Sequence, residues 1–132
     1  MAINIASLNA NGLKSRSKQF DLLGDLDRFR VDVAAIEETH FVTAGDAYVL
    51  TSDFDVYSAY GTTYSRGVSL LVRSNLASRV DIVHRCAEGR MIVADVTIRD
   101  KRFRLIAVYA RRCESGPIVR ILRQINPIWI ES

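Results

Sequence analysis

Two short apolar runs, residues 3–8 and 31–36, flank one amphipathic stretch, and this arrangement constrains the opening of the fold more than any other feature of the chain. The first run ends on the turn formers Asn9, Asn11 and Gly12, so it reads as a buried strand passing into a loop. A helix follows. Ser15 or Ser17 can cap it by accepting a hydrogen bond from a free backbone amide, and Phe20, Leu22, Leu23, Leu26 and Phe29 recur at helical spacing. Arg28 and Arg30 fall at its end, where positive charge suits the helix dipole. The second apolar run has the texture of a strand covered on both sides. Strand, helix and strand in this order imply a right-handed crossover that joins two parallel strands.

Residues 44–50 read as a short helix or a loop, and beyond them the texture changes. Residues 55–60, 67–73, 79–83, 91–98 and 103–109 are rich in Val, Ile and Tyr and are separated by Gly, Ser, Asn and Asp, which marks successive strands. The last two flank the polar turn at residues 99–102 and are expected to pair as an antiparallel hairpin. In that hairpin Ile92, Ala94, Val96 and Ile98 share one face of one strand, as Phe103, Leu105, Ala107 and Tyr109 do on the other. The whole predicts an α/β chain with about one mixed sheet, parallel at its start and antiparallel after, one face of it covered by the early helix. Residues 111–117 break the pattern, and residues 118–125 read as a short basic helix carrying Arg120 and Arg123.

The chain has 132 residues, 48% of them hydrophobic and 25% charged, which suits one globular domain with a buried core. A net charge of +3 fits a polyanionic partner, although many proteins without one carry as much. Cys86 and Cys113 are too few for a disulfide framework and point to a reducing compartment. No apolar run approaches the roughly 18 residues of a membrane span. These features predict an intracellular protein, cytoplasmic or nuclear, with no membrane partner.

Asn9 and Glu38 lie just past the ends of the two parallel strands. In a parallel sheet such ends open on one edge, outside which ligands of open α/β sheets bind. A carboxylate there can hold a hard cation such as Mg2+, and the amide can donate to a phosphate or to a second carboxylate. Plainer readings stand beside these: Asn9 as a turn former, Glu38 as a solvated carboxylate, and Tyr109 as a core tyrosine on the apolar hairpin face. His40 reads as a surface or supporting residue, and His84 has no role.

Ser7-Leu8-Asn9-Ala10-Asn11-Gly12-Leu13, followed by Ala35-Ile36-Glu37-Glu38-Thr39-His40, resembles the paired opening motifs of the endonucleases of non-LTR (LINE-type) retrotransposons and of their apurinic-site relatives in the exonuclease-endonuclease-phosphatase superfamily. Residues 67–72 are similar to the family's next core strand, and residues 89–93 with 105–110 to the pair of strands after it. The resemblance implies a DNase I-like α/β sandwich and a Mg2+-dependent DNA endonuclease, with Mn2+ an alternative ion. It implies that Glu38 binds the metal and that Asn9 helps to position the active-site carboxylates and the scissile phosphate. Tyr109 would reach that phosphate from the neighbouring strand, and Asn11, Arg66 and Arg90 would contact nucleic acid.

Two departures qualify the resemblance. Glu37 stands where the family has glutamine, which is tolerable if strand alternation turns it to the opposite face. After Ala110 the family continues with Pro-Asn, an Asp-x-Asn strand and a Ser-Asp-His ending, whereas here Arg111 and Arg112 follow and no histidine comes after His84. The expectation is therefore a partial domain over residues 1–110 with a divergent basic tail over residues 111–132. Such an incomplete sandwich would bind DNA weakly, hydrolyse little on its own, and self-associate through its uncovered sheet face. A phosphatase-type member of the same superfamily and a small α/β nucleic-acid-binding or protein-interaction module are the competing readings.

Overall fold

Among the described residues the elements run β1 (Ile5–Asn9), α1 (Arg16–Arg28), β2 (Val33–Glu37), β3 (Phe54–Ala59), β4 (Val68–Arg73), β5 (Arg79–Arg85), β6 (Met91–Ile98), β7 (Lys101–Val108) and β8 (Ile128–Glu131). The computed structural model describes residues 3–109 and the backbone of residues 128–131. Two short 3-10 turns, Ala44–Ala47 and Leu50–Ser52, fill the segment expected as a short helix or loop. The helix expected over residues 118–125 lies outside the described residues.

Helix α1 starts where Ser15 caps it, its hydroxyl accepting from the Lys18 amide at 3.3 Å. Its buried stripe is Gln19, Leu22, Leu23 and Leu26, the i, i+3, i+4, i+7 pattern of one face. Phe20 and Phe29, expected on that face, are 51% and 65% exposed. Phe20 is out of phase with the stripe, and Phe29, in phase with Leu22 and Leu26, falls past the helix end as its C-cap; each lies under a guanidinium, Arg16 over Phe20 and Arg28 over Phe29. Gln19 is the element's unexpected residue. Its buried side-chain amide donates to the carbonyls of Leu13 (3.0 Å) and Asp46 (2.7 Å), and its oxygen accepts from the amides of Val49 (3.0 Å) and Leu50 (3.3 Å). One side chain thus pins the 3-10 segment and the loop after β1 to the helix.

The strands form two four-stranded sheets, in the orders β1-β2-β4-β3 and β5-β6-β7-β8. Strands β1 and β2 are parallel, as the crossover requires, and β4 joins β2 antiparallel with β3 outside it. In the second sheet β5, β6 and β7 are antiparallel, β6 and β7 being the expected hairpin, and Ile128–Glu131 lies parallel to β7. The fold is the expected α/β sandwich of DNase I-like type, but it holds two sheets where about one mixed sheet is expected from the sequence. Alternation within a strand reports which residues share a face, not which strand is its neighbour, and the chain leaves the first sheet in the turn after β4, where Asn75 has φ +69°.

The two sheets pack face to face. Val33, Ala35, Val68, Leu70 and Val72 of the first meet Ile92, Ala94, Val96, Ile98, Leu105 and Ala107 of the second in one buried cluster. On its other face the first sheet buries Ala34, Ile36 and Leu71 against Leu22, Leu23 and Leu26 of α1. The apolar face expected to lie uncovered, and to drive self-association, is therefore covered by the second sheet.

On the outer face of the second sheet Asp95 is a buried carboxylate with two cationic partners. Arg104 donates to both its oxygens, at 2.7 and 2.9 Å, and Arg102 to one at 2.8 Å. The Arg104 hydrogen bonds, above all, hold the Asp95 carboxyl below the usual carboxylate range, against the opposing effect of burial.

Two stability predictions follow from these contacts. Gln19→Leu should destabilise the fold by about 2–4 kcal/mol in urea titrations despite its greater hydrophobicity, because it strips four buried backbone groups of a partner, whereas Phe29→Ala should change stability by less than about 0.5 kcal/mol. The Asp95 carboxylate has a folded pKa below its unfolded one, so its stabilisation is present above roughly pH 4 and lost as pH falls through the lower folded value. Thermal melts should accordingly show a large deficit for Asp95→Asn at pH 7 that shrinks below pH 3.

Candidate functional site

Strand β1 delivers Asn9 to the end of the first sheet, directly beside the end of β2, where Asn9 and Glu37 are register partners. The Asn9 oxygen accepts from the Asn11 amide at 2.9 Å, an Asx turn that reverses the chain into Asn11 (φ +48°) and Gly12 (φ +90°). Its amide nitrogen donates to the Glu37 carboxylate at 3.0 Å. Glu37 is buried and faces the Asn9 side of the rim, so the expectation that it turns to the opposite face is not met. The glutamine-to-glutamate departure therefore puts a second carboxylate at this rim, bonded to the asparagine.

The segment after β2 ties the neighbouring loops together through its backbone. Glu37, Glu38 and Thr39 carbonyls accept from the amides of Ala10 (2.9 Å), Gly12 (2.7 Å) and Leu13 (2.9 Å). In the other direction the amides of Thr39 and His40 donate to the carbonyls of Gly67 (3.0 Å) and Arg66 (2.9 Å). Gly67 in turn donates to the Gly89 carbonyl at 3.0 Å, and Tyr109 donates to the Arg90 carbonyl at 2.8 Å. A continuous series of main-chain contacts thus runs from the Asn9 loop in the first sheet to Arg90 and the end of β7 in the second. Asn9, Asn11, Glu38, Arg66, Arg90 and Tyr109 all lie along it.

The backbone at this rim is unusual. Glu38, His40 and Arg66 have φ of +54°, +61° and +63°, a region that side chains other than glycine rarely adopt. Gly67, at φ +91°, has no room for a side chain: a Cβ there would sit 2.6 Å from the Thr39 hydroxyl oxygen. His40 packs its ring against Gly12, consistent with a supporting position, while His84 lies exposed on β5.

Glu38 is half-buried, and among the described residues its carboxylate makes no hydrogen bond or ion pair. Among the described residues there is also no group of three His, Cys, Asp or Glu side chains able to enclose a metal. One carboxylate of this kind is the oxygen ligand that hard cations accept. Arg90 is only 17% exposed, with Glu88 3.4 Å from its Nε. Tyr109 is half-buried against the inter-sheet core, so the core reading and the rim position both describe it.

Two contributors escaped sequence reasoning. Lys18 donates from Nζ to the carbonyls of Ala10 (3.2 Å), Asn11 (3.1 Å) and Gly12 (2.6 Å), holding the Asn9 loop from the first turn of α1. Thr39 is fully buried between Phe41, whose amide its hydroxyl accepts at 3.3 Å, and Gly67. Lys18 is signalled only by its place just past the first motif, and Thr39 lies inside the second motif without a residue type that marks its role. A cavity of about 630 Å³ opens at the opposite end of the sandwich, lined by Ile3, Ile5, Leu76, Ile98 and Phe103 with Asp32, Arg99 and Lys101 at its edge. Its apolar lining offers no pair of carboxylates, and the chemistry-bearing side chains lie at the rim instead.

No family model matches the sequence. Solved structures with the same fold include TDP2 of D. rerio in complex with single-strand DNA product (16% identity, TM-score 0.65, 98% of this chain and 58% of that one). The 3′ phosphatase NExo from Neisseria, bound to product DNA hairpin, matches with 20% identity, a TM-score of 0.62, and 93% of this chain on 48% of its own. The endonuclease domain of TRAS1, a telomere-specific non-LTR retrotransposon, matches with 14% identity and a TM-score of 0.58, over 94% of this chain and 52% of that one. These neighbours are members of the exonuclease-endonuclease-phosphatase superfamily, and the chain has their fold. It spans about half the length of these structures. Among the described residues no helix is long and apolar enough to cross a membrane.

Gly67→Ala tests the rim's construction. The methyl group meets a buried threonine and a φ that alanine disfavours, so it should cost about 1–3 kcal/mol in urea unfolding, with amide shifts concentrated at Thr39, His40 and Gly89.

Proposed function

We propose that this rim is the DNA-binding and metal-binding half of a phosphodiester-hydrolase site of endonuclease type, of retroelement origin. What supports the reading is the series of main-chain bonds that brings Asn9, Glu38, Arg66, Arg90 and Tyr109 to one edge of a sandwich whose structural neighbours include DNA complexes. Glu38 would hold Mg2+, or Mn2+ in its place, and the ion would supply positive charge to offset the negative charge developing on the phosphate. Asn9 fixes Glu37 and the turn at Asn11, and so positions the carboxylates. Tyr109 donates to a phosphate oxygen from the end of β7, and Asn11, Arg66 and Arg90 hold the DNA backbone around it.

The 132 residues taken alone contain no Asp-x-Asn after Ala110 and no histidine after His84, the segments that the resemblance makes the source of the general base. Loss of general acid–base catalysis costs about 10²- to 10⁴-fold in rate. The isolated chain is accordingly a DNA binder with little hydrolytic activity. The reading also places the protein in the cytoplasm or nucleus, in keeping with Cys86 as a free thiol.

The test is incubation of the purified chain with supercoiled plasmid and Mg2+, alongside binding assays at two salt concentrations. DNA binding should weaken steeply from 50 to 200 mM salt, by at least about 10-fold, as counterion release requires. Mg2+ should strengthen the binding of the wild type and leave Glu38→Gln unaffected, with nicking no faster than in buffer. Nicking that vanishes in Glu38→Gln would refute the proposed inactivity, and salt-insensitive or absent binding would refute the DNA reading.

A further inference from the structure

We propose that the turn formed by residues 61–67 grips one unpaired nucleotide of a DNA strand, with Tyr64 stacked on the base and Arg66 on the adjoining phosphate. This rests on reading the rim as a DNA site and adds to it a class of substrate, DNA with an unstacked or terminal base.

Tyr64 is 88% exposed, the most exposed large hydrophobic side chain among the described residues. Its exposure is not that of a loose loop. The Thr62 amide donates to the Ser65 carbonyl at 2.8 Å, and the Thr62 hydroxyl accepts from the amides of Tyr64 (3.3 Å) and Ser65 (3.0 Å) and pairs with the Ser65 hydroxyl at 2.9 Å. The backbone on both sides of the ring is therefore pinned, and an aromatic face is held in water where it stabilises nothing within the chain. The base of the turn is anchored to the rim, Gly61 donating to the Phe41 carbonyl at 3.1 Å and Gly67 to that of Gly89.

Arg66 supplies the second, independent observation. Among the described residues its guanidinium makes no hydrogen bond or ion pair, and its buried Nε fixes the stem while the outer end is left without an acceptor. Its backbone is held at φ +63° by the bond from the His40 amide, which fixes where the side chain departs. The Nε itself is shut off from solvent, so the outer Nη groups of the guanidinium are the donors a phosphate oxygen reaches, with a charge-assisted bond.

Two residues of chain span at most about 7 Å, so Tyr64 and Arg66 can serve a base and its own phosphate together. Stacking needs an accessible π-face. Bases inside a duplex offer none, whereas unpaired bases stack on aromatic side chains with little regard to sequence.

Fluorescence anisotropy with labelled oligothymidylate, and with the same strand carrying abasic residues in place of thymidines, tests the proposal. Tyr64→Ala should weaken binding to oligothymidylate by roughly 5- to 100-fold and leave binding to the abasic strand unchanged, while Tyr64→Phe stays within about 2-fold of wild type on both. The ring is exposed, so neither substitution should disturb folding, which circular dichroism checks. Unchanged binding in Tyr64→Ala, or an equal loss on both strands, would overturn base stacking while leaving the DNA reading of the rim intact. If the wild-type chain bound neither strand, that reading would fall and this proposal with it.

Discussion

Main-chain hydrogen bonding by residues 37–40 sets the geometry on which every other feature of the rim depends. Residues 38–40 lie past the regular ladder of β2, which ends at Glu37, yet the segment's carbonyls and amides are engaged on both sides, by residues 10–13 and by residues 66–67. A buried peptide group without a partner costs about 1–3 kcal/mol, so each of these loops satisfies the others and none can shift alone. Thr39, fully buried at the centre, blocks the alternative of hydrating the groups. The result is a rigid edge built from loops, with the precision usually found in sheets and helices.

Such rigidity explains where the strained backbone lies. Left-handed conformations at Asn11, Glu38, His40 and Arg66 each disfavour folding locally, and they persist because the surrounding bonds over-determine them. Positive φ alone is not diagnostic: Arg99 and Asp100 also show it, in the tight turn between β6 and β7, where a two-residue hairpin requires that geometry. At the rim no hairpin demands it. There Glu38 turns away from the regular strand, its carboxylate without a partner among the described residues, while its neighbour Glu37 engages Asn9. Adjacent carboxylates thereby take different environments.

Much of the scaffold was legible from the residue pattern, because the 3.6 and 2.0 periods report faces directly. Ser15, Leu22, Leu23 and Leu26 marked helix α1, and Ile92, Ala94, Val96 and Ile98 marked the face of β6 that packs between the sheets. Phe20 misled because hydrophobicity was counted without phase, and Phe29 because it falls at the C-cap past the helix end; each sits under an arginine. The split into two sheets was not legible, since strand pairing depends on long-range contacts that no local window contains. For the same reason Gln19, a polar residue in the buried stripe, gave no hint of the four backbone groups it serves. The positions of Asn9 and Glu38 followed from parallel strand ends, but the orientation of Glu37 did not, because the alternation that orients it names a face without saying which face holds the site.

The claim that one divalent ion sits at this edge is tested most directly by nuclear magnetic resonance with substoichiometric Mn2+, whose unpaired electrons broaden nearby amide signals. The account predicts selective broadening at Asn9, Asn11, Glu38, Gly67 and Tyr109, with the turn at Arg99 and Asp100 at the far end of the sandwich left sharp. Broadening centred on Asp81 and Asp95, or spread evenly over the surface acids, would contradict it.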